Sequence, residues 1–306
     1  MSFANRAYQA FGKEITVQRT NRKHFLDRTP NRNIHLFGFG RGGSTWCAEL
    51  LSQATSNGPF IDEPFHRPKV FFKSKRGGEI FGWKEYVNPG ETNPLINDYF
   101  ESINNLSHLN RKLVSERGRM KPFRSSSPIL FKYIDRTFLI PYLVSQYDIS
   151  PVFLTRNPFS VYASRKAYGW PGGTKIPVDT AQSKSSLLHL DRIQVKYPGL
   201  YHPAKIFAIF FCEQIILFRS LACSKLEVNY EQMVLDPNKA IKSVIDFLAI
   251  PADLNSLQFE EPSSSSRGLA SGQHQLNKWR KQLDEDEKAA ISETLEEYGL
   301  REFLVH

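Results

Sequence analysis

Short apolar runs alternate with amphipathic stretches along this chain. Ile34-His35-Leu36-Phe37 opens the pattern, and the spacing predicts a strand over residues 34–39 and a helix over 45–54. Residues 69–73 (KVFFK) and 81–87 (FGWKEYV) read as short strands, and 99–121 carry helical spacing. Two further buried-strand signals, 129–133 (ILFKY) and 151–155 (PVFLT), each precede a helical stretch, 137–146 and 158–167. An apolar helix is expected over 205–221 and a strand over 225–230. Asp236 as N-cap and Pro237 as first residue predict a helix over 237–248. A last helix is predicted over 284–297, capped by Asp284 and ended near Gly299. Strands separated by helices predict an α/β fold: one P-loop-like domain with a central parallel sheet flanked by helices.

No internal repeat and no second domain are visible. Residues 31–306 read as one domain after a short basic arm, 1–30. Residues 168–204 and 262–273 lack periodicity, and the first of these is long enough to be a lid or binding loop. Residues 99–121 end in a basic cluster that includes Arg111, Lys112, Arg117, Arg119, Lys121 and Arg124. Such a run is either a solvated face or an acceptor-binding surface.

Composition adds bounds. The chain has 306 residues, 41% hydrophobic and 23% charged, which is ordinary for a globular protein with a sizeable core. A net charge of +9 favours anionic ligands: nucleotide, sulfated or phosphorylated glycan, nucleic acid or membrane surface. The three cysteines, Cys47, Cys212 and Cys223, form no C-x-x-C pair, which suits a reducing compartment. No apolar run approaches a membrane span, and no secretory signal is visible at the N-terminus. The expectation is a cytoplasmic protein, with a soluble lumenal domain cut from its anchor as the alternative. The eight histidines are scattered without ligand spacing, so no metal site is expected.

The chemistry begins at GFGRGGSTW, residues 38–46. Gly38, Gly40 and Gly43 spell G-x-G-x-x-G, the dinucleotide fingerprint. Gly38, Gly43 and Thr45 also fit most of the triphosphatase loop, but Ser44 stands where that loop needs lysine. Both templates use glycines to bring backbone close to an anion at a helix N-terminus. The alternative is a strand-to-helix turn that binds nothing. The cation, Arg41, lies inside the turn, and Ser44, Thr45 and Trp46 follow it. That arrangement suits a nucleotide with a smaller, less charged group on its 5′ side.

A second motif follows the strand PVFLT. Arg156 sits at the predicted strand end and Ser164 lies eight residues on, in the next helix. Arg156 offers a planar fork for a phosphate. Ser164 can reach the same anion if the chain turns back at Asn157-Pro158. The alternative is that Arg156 caps a strand and Ser164 fills a helix.

Together the two motifs resemble the sulfotransferase family. Arg41-Gly42-Gly43-Ser44-Thr45-Trp46 is similar to its 5′-phosphosulfate loop, and Arg156 with Ser164 keeps the spacing of its 3′-phosphate motif. Residues 228–251 and the segment LNKWRKQL (276–283) resemble late parts of the family, so the resemblance spans about 34–300. Gly42 departs from the usual serine, and Arg267-Gly268 matches an Arg-Lys-Gly element in part. The resemblance implies 3′-phosphoadenosine 5′-phosphosulfate as sulfuryl donor and adenosine 3′,5′-bisphosphate as product, without a metal. It implies donor contacts from Arg41, Gly42, Gly43, Ser44, Thr45, Trp46, Arg156, Ser164, Arg267 and Gly268. The acceptor side falls near 99–128 and 168–204.

Transfer is expected to be in line, with Arg41 and the loop amides stabilising charge on the leaving oxygen and the sulfuryl oxygens. Transfer to a hydroxyl needs a base, and FIDEPFH (60–66) supplies Asp62, Glu63 and His66. In carbohydrate and tyrosyl-protein sulfotransferases a glutamate in a similar place serves, so Glu63 is the expected base, with His66 second. That likeness favours the carbohydrate and tyrosyl-protein side over small phenols and points to a glycan acceptor, with a small hydroxylated metabolite or a lipid as the alternative. Lys84 is expected near the sulfuryl group. Three other readings remain. Asp62 or Glu63 could be the ribose acid of a dinucleotide enzyme. A small-molecule kinase using ATP needs a lysine at 44 and Mg²⁺ ligands. Nucleic-acid binding would rest on the charge alone.

Overall fold

In the computed structural model, which describes residues 33–55, 60–64, 90, 92–104, 128–169, 202–259 and 276–304, the strand signals resolve into one sheet. The strands are β1 (Ile34–Gly38), β2 (Phe60–Asp62), β3 (Leu130–Ile134), β4 (Pro151–Thr155) and β5 (Leu226–Asn229), in the order β2-β3-β1-β4-β5. Every neighbouring pair is parallel. The register sets Gly38 opposite both Ile134 of β3 and Leu154 of β4. The α/β class with a central parallel sheet is therefore as expected.

The helices are α1 (Ser44–Ala54), α2 (Pro94–Asn104), α3 (Ile140–Gln146), α4 (Pro158–Ala167), α5 (Pro203–Ser220), α6 (Tyr230–Leu235), α7 (Pro237–Leu248), α8 (Trp279–Gln282) and α9 (Glu285–Glu297). A 3-10 turn, Thr137–Leu139, leads into α3. Local chemistry explains several starts. Asn157 accepts from the Ser160 amide and Asp236 from the Lys239 amide, each just before a proline at the first turn. Asp284 and Glu287 form a reciprocal capping box on α9.

Both faces of the sheet are covered, which is why β1, β3 and β4 are buried along their whole lengths. Side chains alternate between the faces. Ile34 and Leu36 pack with Trp46, Leu50 and Leu51 of α1 and with Ile241 and Val244 of α7. Phe37 turns to the other face, among Tyr133, Phe153, Phe207 and Phe211. There α5 and α9 close the core, and Thr137 donates to Gln214 at 2.7 Å inside it.

Three sequence expectations change. Phe60–Asp62 is a strand that spacing did not announce. The helix expected over 99–121 starts at Pro94; its residues beyond 104 lie outside those described. A short helix, α6, follows β5 at once. The strands expected at 69–73 and 81–87, the arm 1–30, the basic cluster 111–124, the loop 262–273 and nearly all of 168–204 also lie outside the described residues. Among those described, no helix is long and apolar enough to cross a membrane.

The topology decides where a ligand would sit. The chain leaves β1 and pairs on one side with β3 and on the other with β4, so a switch point lies at the C-terminal end of β1. Ligands of open parallel sheets bind outside such a point.

Candidate active site

The loop 39–43 leaves β1 at that point and delivers the chain to α1. The Gly42 amide donates to the Phe39 carbonyl at 2.9 Å, closing a tight turn. Arg41 stands at φ 70, in the left-handed region that non-glycine residues rarely adopt. Gly43 is the N-cap of α1 at φ 88, and no side chain caps the helix. The first-turn amides and the positive end of α1 therefore face the loop. A Cβ at Gly43 would fall 2.2 Å from the Tyr230 ring, so glycine is required there. At Gly42 a Cβ would meet the Phe39 carbonyl at 2.8 Å. That contact gives a physical reason for glycine where the resemblance leads one to expect serine.

Arg156 leaves the end of β4 and turns toward this loop. Its Nη1 donates to the Arg41 carbonyl at 3.0 Å, and its guanidinium lies 4.4 Å from the centre of the Tyr230 ring. Burial lowers the Arg156 pKa from its ordinary value; Tyr230 and Glu231 oppose the shift, and Arg41 adds to it. Ser164 lies two turns into α4, and its Oγ accepts from Arg41 Nε at 3.2 Å. The Arg41 guanidinium also stacks on Tyr168, 3.8 Å from the ring centre. The two motifs thus meet at Arg41. The expected doubling back at Asn157-Pro158 is instead a capped helix start, and α4 runs alongside the loop. Three buried polar atoms here have no hydrogen-bond partner among the described residues: Trp46 Nε1, Arg156 Nε and Glu231 Oε2. Orphaned buried donors and acceptors are uncommon in native structures and fit a polar ligand.

The third component is one that the sequence reading passed over. Lys132, in the middle of β3, is 1% exposed. Its Nζ lies 2.6 Å from Asp62 Oδ1, 3.0 Å from Thr45 Oγ1 and 3.4 Å from Glu63 Oε1. The ammonium donates to Thr45 Oγ1 and Glu63 Oε1 and pairs by charge with Asp62, and a buried charge needs such partners. Asp62 ends β2, and the Glu63 amide continues the ladder by donating to the Lys132 carbonyl at 2.9 Å. Glu63 itself takes φ 49. The signal available in the sequence was a lysine inside an otherwise apolar, buried strand. Asp135, Arg165 and Tyr230 were likewise passed over, and all three touch the loop or its partners.

The described residues thus bring together Arg41, Gly42, Gly43, Ser44, Thr45, Trp46, Arg156, Ser164 and Glu63. His66, Lys84, Arg267 and Gly268 lie outside them. Among the described residues, no group of three or more His, Cys, Asp or Glu is placed to hold a metal ion.

No protein-family model matches the chain, and no curated protein matches its sequence. Among solved structures it is similar to the sulfotransferase domain of the Synechococcus PCC 7002 olefin synthase, at 16% identity over 89% of this chain and 96% of that one, with a TM-score of 0.47. A mouse sulfotransferase complexed with PAP matches at 12% identity over 89% of this chain and 86% of that one, TM-score 0.44. A sulfotransferase from Alicyclobacillus acidocaldarius matches at 12% identity over 89% and 96%, TM-score 0.42.

Proposed function

We propose that the protein is a sulfotransferase that moves a sulfuryl group from 3′-phosphoadenosine 5′-phosphosulfate to a hydroxyl of a glycan. The observation that carries this reading is the meeting of the two motifs: Arg156 Nη1 on the Arg41 carbonyl at 3.0 Å and Arg41 Nε on Ser164 Oγ at 3.2 Å. A nucleotide with anionic groups at both 5′ and 3′ positions needs two cationic sites at a fixed separation. A nucleoside triphosphate or a dinucleotide has no use for the second in this place.

Arg156 and Ser164 would take the 3′-phosphate, and the amides at the start of α1 the 5′ side. Trp46 and Tyr230 meet edge to face, 6.1 Å between centres, and offer apolar walls for the base. Thr45 also speaks against ATP–Mg²⁺. In triphosphatase loops the corresponding hydroxyl faces the metal, whereas here it accepts from Lys132.

In the transfer, the sulfur–oxygen bond to the 5′-phosphate breaks and a sulfur–oxygen bond to the acceptor forms. Adenosine 3′,5′-bisphosphate leaves, and the acceptor proton passes to a carboxylate. Glu63 is that carboxylate in this reading. Lys132 Nζ lies 2.6 Å from Asp62 Oδ1 and 3.4 Å from Glu63 Oε1, so both carboxylates border the same cation. Lys132 and the helix dipole supply positive charge where the sulfuryl oxygens and the leaving oxygen gain negative charge. A base of the glutamate type and the net charge of +9 support an acidic glycan as acceptor.

The test is transfer of labelled sulfate from the donor to a panel of glycan, phenol and lipid hydroxyls. Transfer to glycan alone is expected. Glu63→Gln should lower turnover by roughly 10²-fold or more while leaving bisphosphate affinity unchanged. Near-normal turnover in that variant would remove Glu63 from the role.

A further inference from the structure

A second deeply buried charge beside the loop has no part in the scheme above. Arg165, next to Ser164 on α4, is 2% exposed. Its Nη2 donates to Asp135 Oδ1 at 2.7 Å and its Nε to the Gly40 carbonyl at 3.0 Å. The same Asp135 oxygen accepts from the Gly40 amide at 3.1 Å. Both polar groups of Gly40 are therefore held, the amide by Asp135 and the carbonyl by Arg165. Asp135 is anchored in turn, since its amide donates to the Gly38 carbonyl at 3.0 Å and its φ is 51. Phe207 of α5 faces the Arg165 guanidinium at 5.3 Å. A Cβ at Gly40 would lie 3.1 Å from Asp135 Oδ2 and 3.3 Å from Arg165 Nη2, so the ion pair fits closely around a bare backbone.

We infer that the Arg165–Asp135 pair is a positioning device: it fixes the Gly40 peptide, and through it Arg41 and the first turn of α1, in the geometry that receives the 5′ side of the nucleotide. The inference rests on the donor reading given above. Arg165 acts through the loop and is not a catalytic residue. Arg165 holds Gly40, Ser164 holds the Arg41 side chain and Arg156 holds the Arg41 carbonyl. One strand-to-helix unit, 156–165, thus grips two consecutive loop residues from three sides. Only arginine can do this at position 165. Its planar fork spans a carboxylate and a carbonyl at once, whereas a lysine ammonium is a point charge that satisfies one or the other. A buried ion pair is weak evidence for stability as such. The distinguishing property of this one is order imposed on the loop, and small displacements of reacting groups are costly to catalysis.

The test uses Arg165→Lys, which keeps the buried cation for Asp135, read by amide hydrogen exchange of the ligand-free protein and by calorimetry. Exchange at Gly40 should rise at least tenfold while amides in β1 and β4 stay as in the wild type. Affinity for adenosine 5′-monophosphate and for adenosine 3′,5′-bisphosphate should fall by about the same factor, roughly tenfold, the equivalent of one lost hydrogen bond. Their ratio should hold, because the 3′-phosphate increment belongs to Arg156 and Ser164. If Arg165→Lys does not fold, Asp135→Asn is read the same way. Unchanged Gly40 exchange with unchanged affinities in a folded variant overturns the inference, whether or not the melting temperature falls. A wild-type protein that does not prefer the bisphosphate to the monophosphate overturns the donor reading instead, and the exchange measurement then decides the clamp alone.

Discussion

Replacing Lys132 by methionine keeps the length of the side chain and removes its charge. The ammonium is 2.6 Å from Asp62, 3.0 Å from Thr45 and 3.4 Å from Glu63, and the lysine side chain is nearly inaccessible. Losing one partner of a buried pair costs about 3–5 kcal/mol when the other charge stays dry. Here the carboxylates are 21% and 23% exposed and can recruit water, so the lower end of that range or less applies. We expect a loss of about 2–3 kcal/mol, which for a domain of this size is a fall of roughly 4–12 °C in Tm. Under the proposed function, turnover should fall by more than stability explains, since the cation would then supply charge to the transfer. Adding Asp62→Asn removes one of the stranded charges. The double variant should therefore recover part of the lost stability in a thermal melt but none of the turnover. A Lys132→Met protein within 1 °C or so of the wild type, with no coupling to Asp62→Asn, would refute the reasoning.

His35 provides a pH prediction. Burial among Phe100, Phe131 and Tyr133 pushes its pKa down to about 3, so the folded protein holds it neutral. An unfolded histidine titrates near 6.5. This stabilisation is complete above that value and is lost as pH falls from about 6.5 toward 3, at up to about 1.4 kcal/mol per pH unit. His35→Phe, compared with wild type in urea at pH 7.5 and 5.5, should lose that part of the slope. Gly43→Ala should lower Tm by several degrees and abolish nucleotide binding, because its Cβ would strike the Tyr230 ring and its φ is 88; an unperturbed melt contradicts this. Gly42→Ser should destabilise through the Phe39 carbonyl at 2.8 Å and should not raise turnover, a result checked by paired melts and assays.

The parts of the fold that local physics dictates were legible in the sequence. β1 and β4 are short apolar runs, and α7 and α9 carry their own caps at Asp236 and Asp284, whereas the cap of α4 at Asn157 was read as a turn. β2 was not legible, because three residues hold too little alternation to mark a strand. Arg41, Arg156 and Ser164 were found through their spacing, yet their contact with one another is a product of the sheet order. Lys132 and the Arg165–Asp135 pair were invisible for a related reason. Each is a buried charge whose partner comes from a distant stretch of chain, and a single sequence shows the charge without the partner.

The proposed function requires the loop and Arg156 to form one site for a nucleotide phosphorylated at 3′. Calorimetry of adenosine 3′,5′-bisphosphate, ADP, ATP–Mg²⁺ and NAD against the wild type and Arg156→Ala tests it most directly. Tight binding of the bisphosphate alone is expected, weakened by roughly 10- to 100-fold in the variant, the scale of hydrogen bonds to a charged group. Preference for ATP–Mg²⁺ or NAD, or an affinity indifferent to the 3′-phosphate, would contradict it.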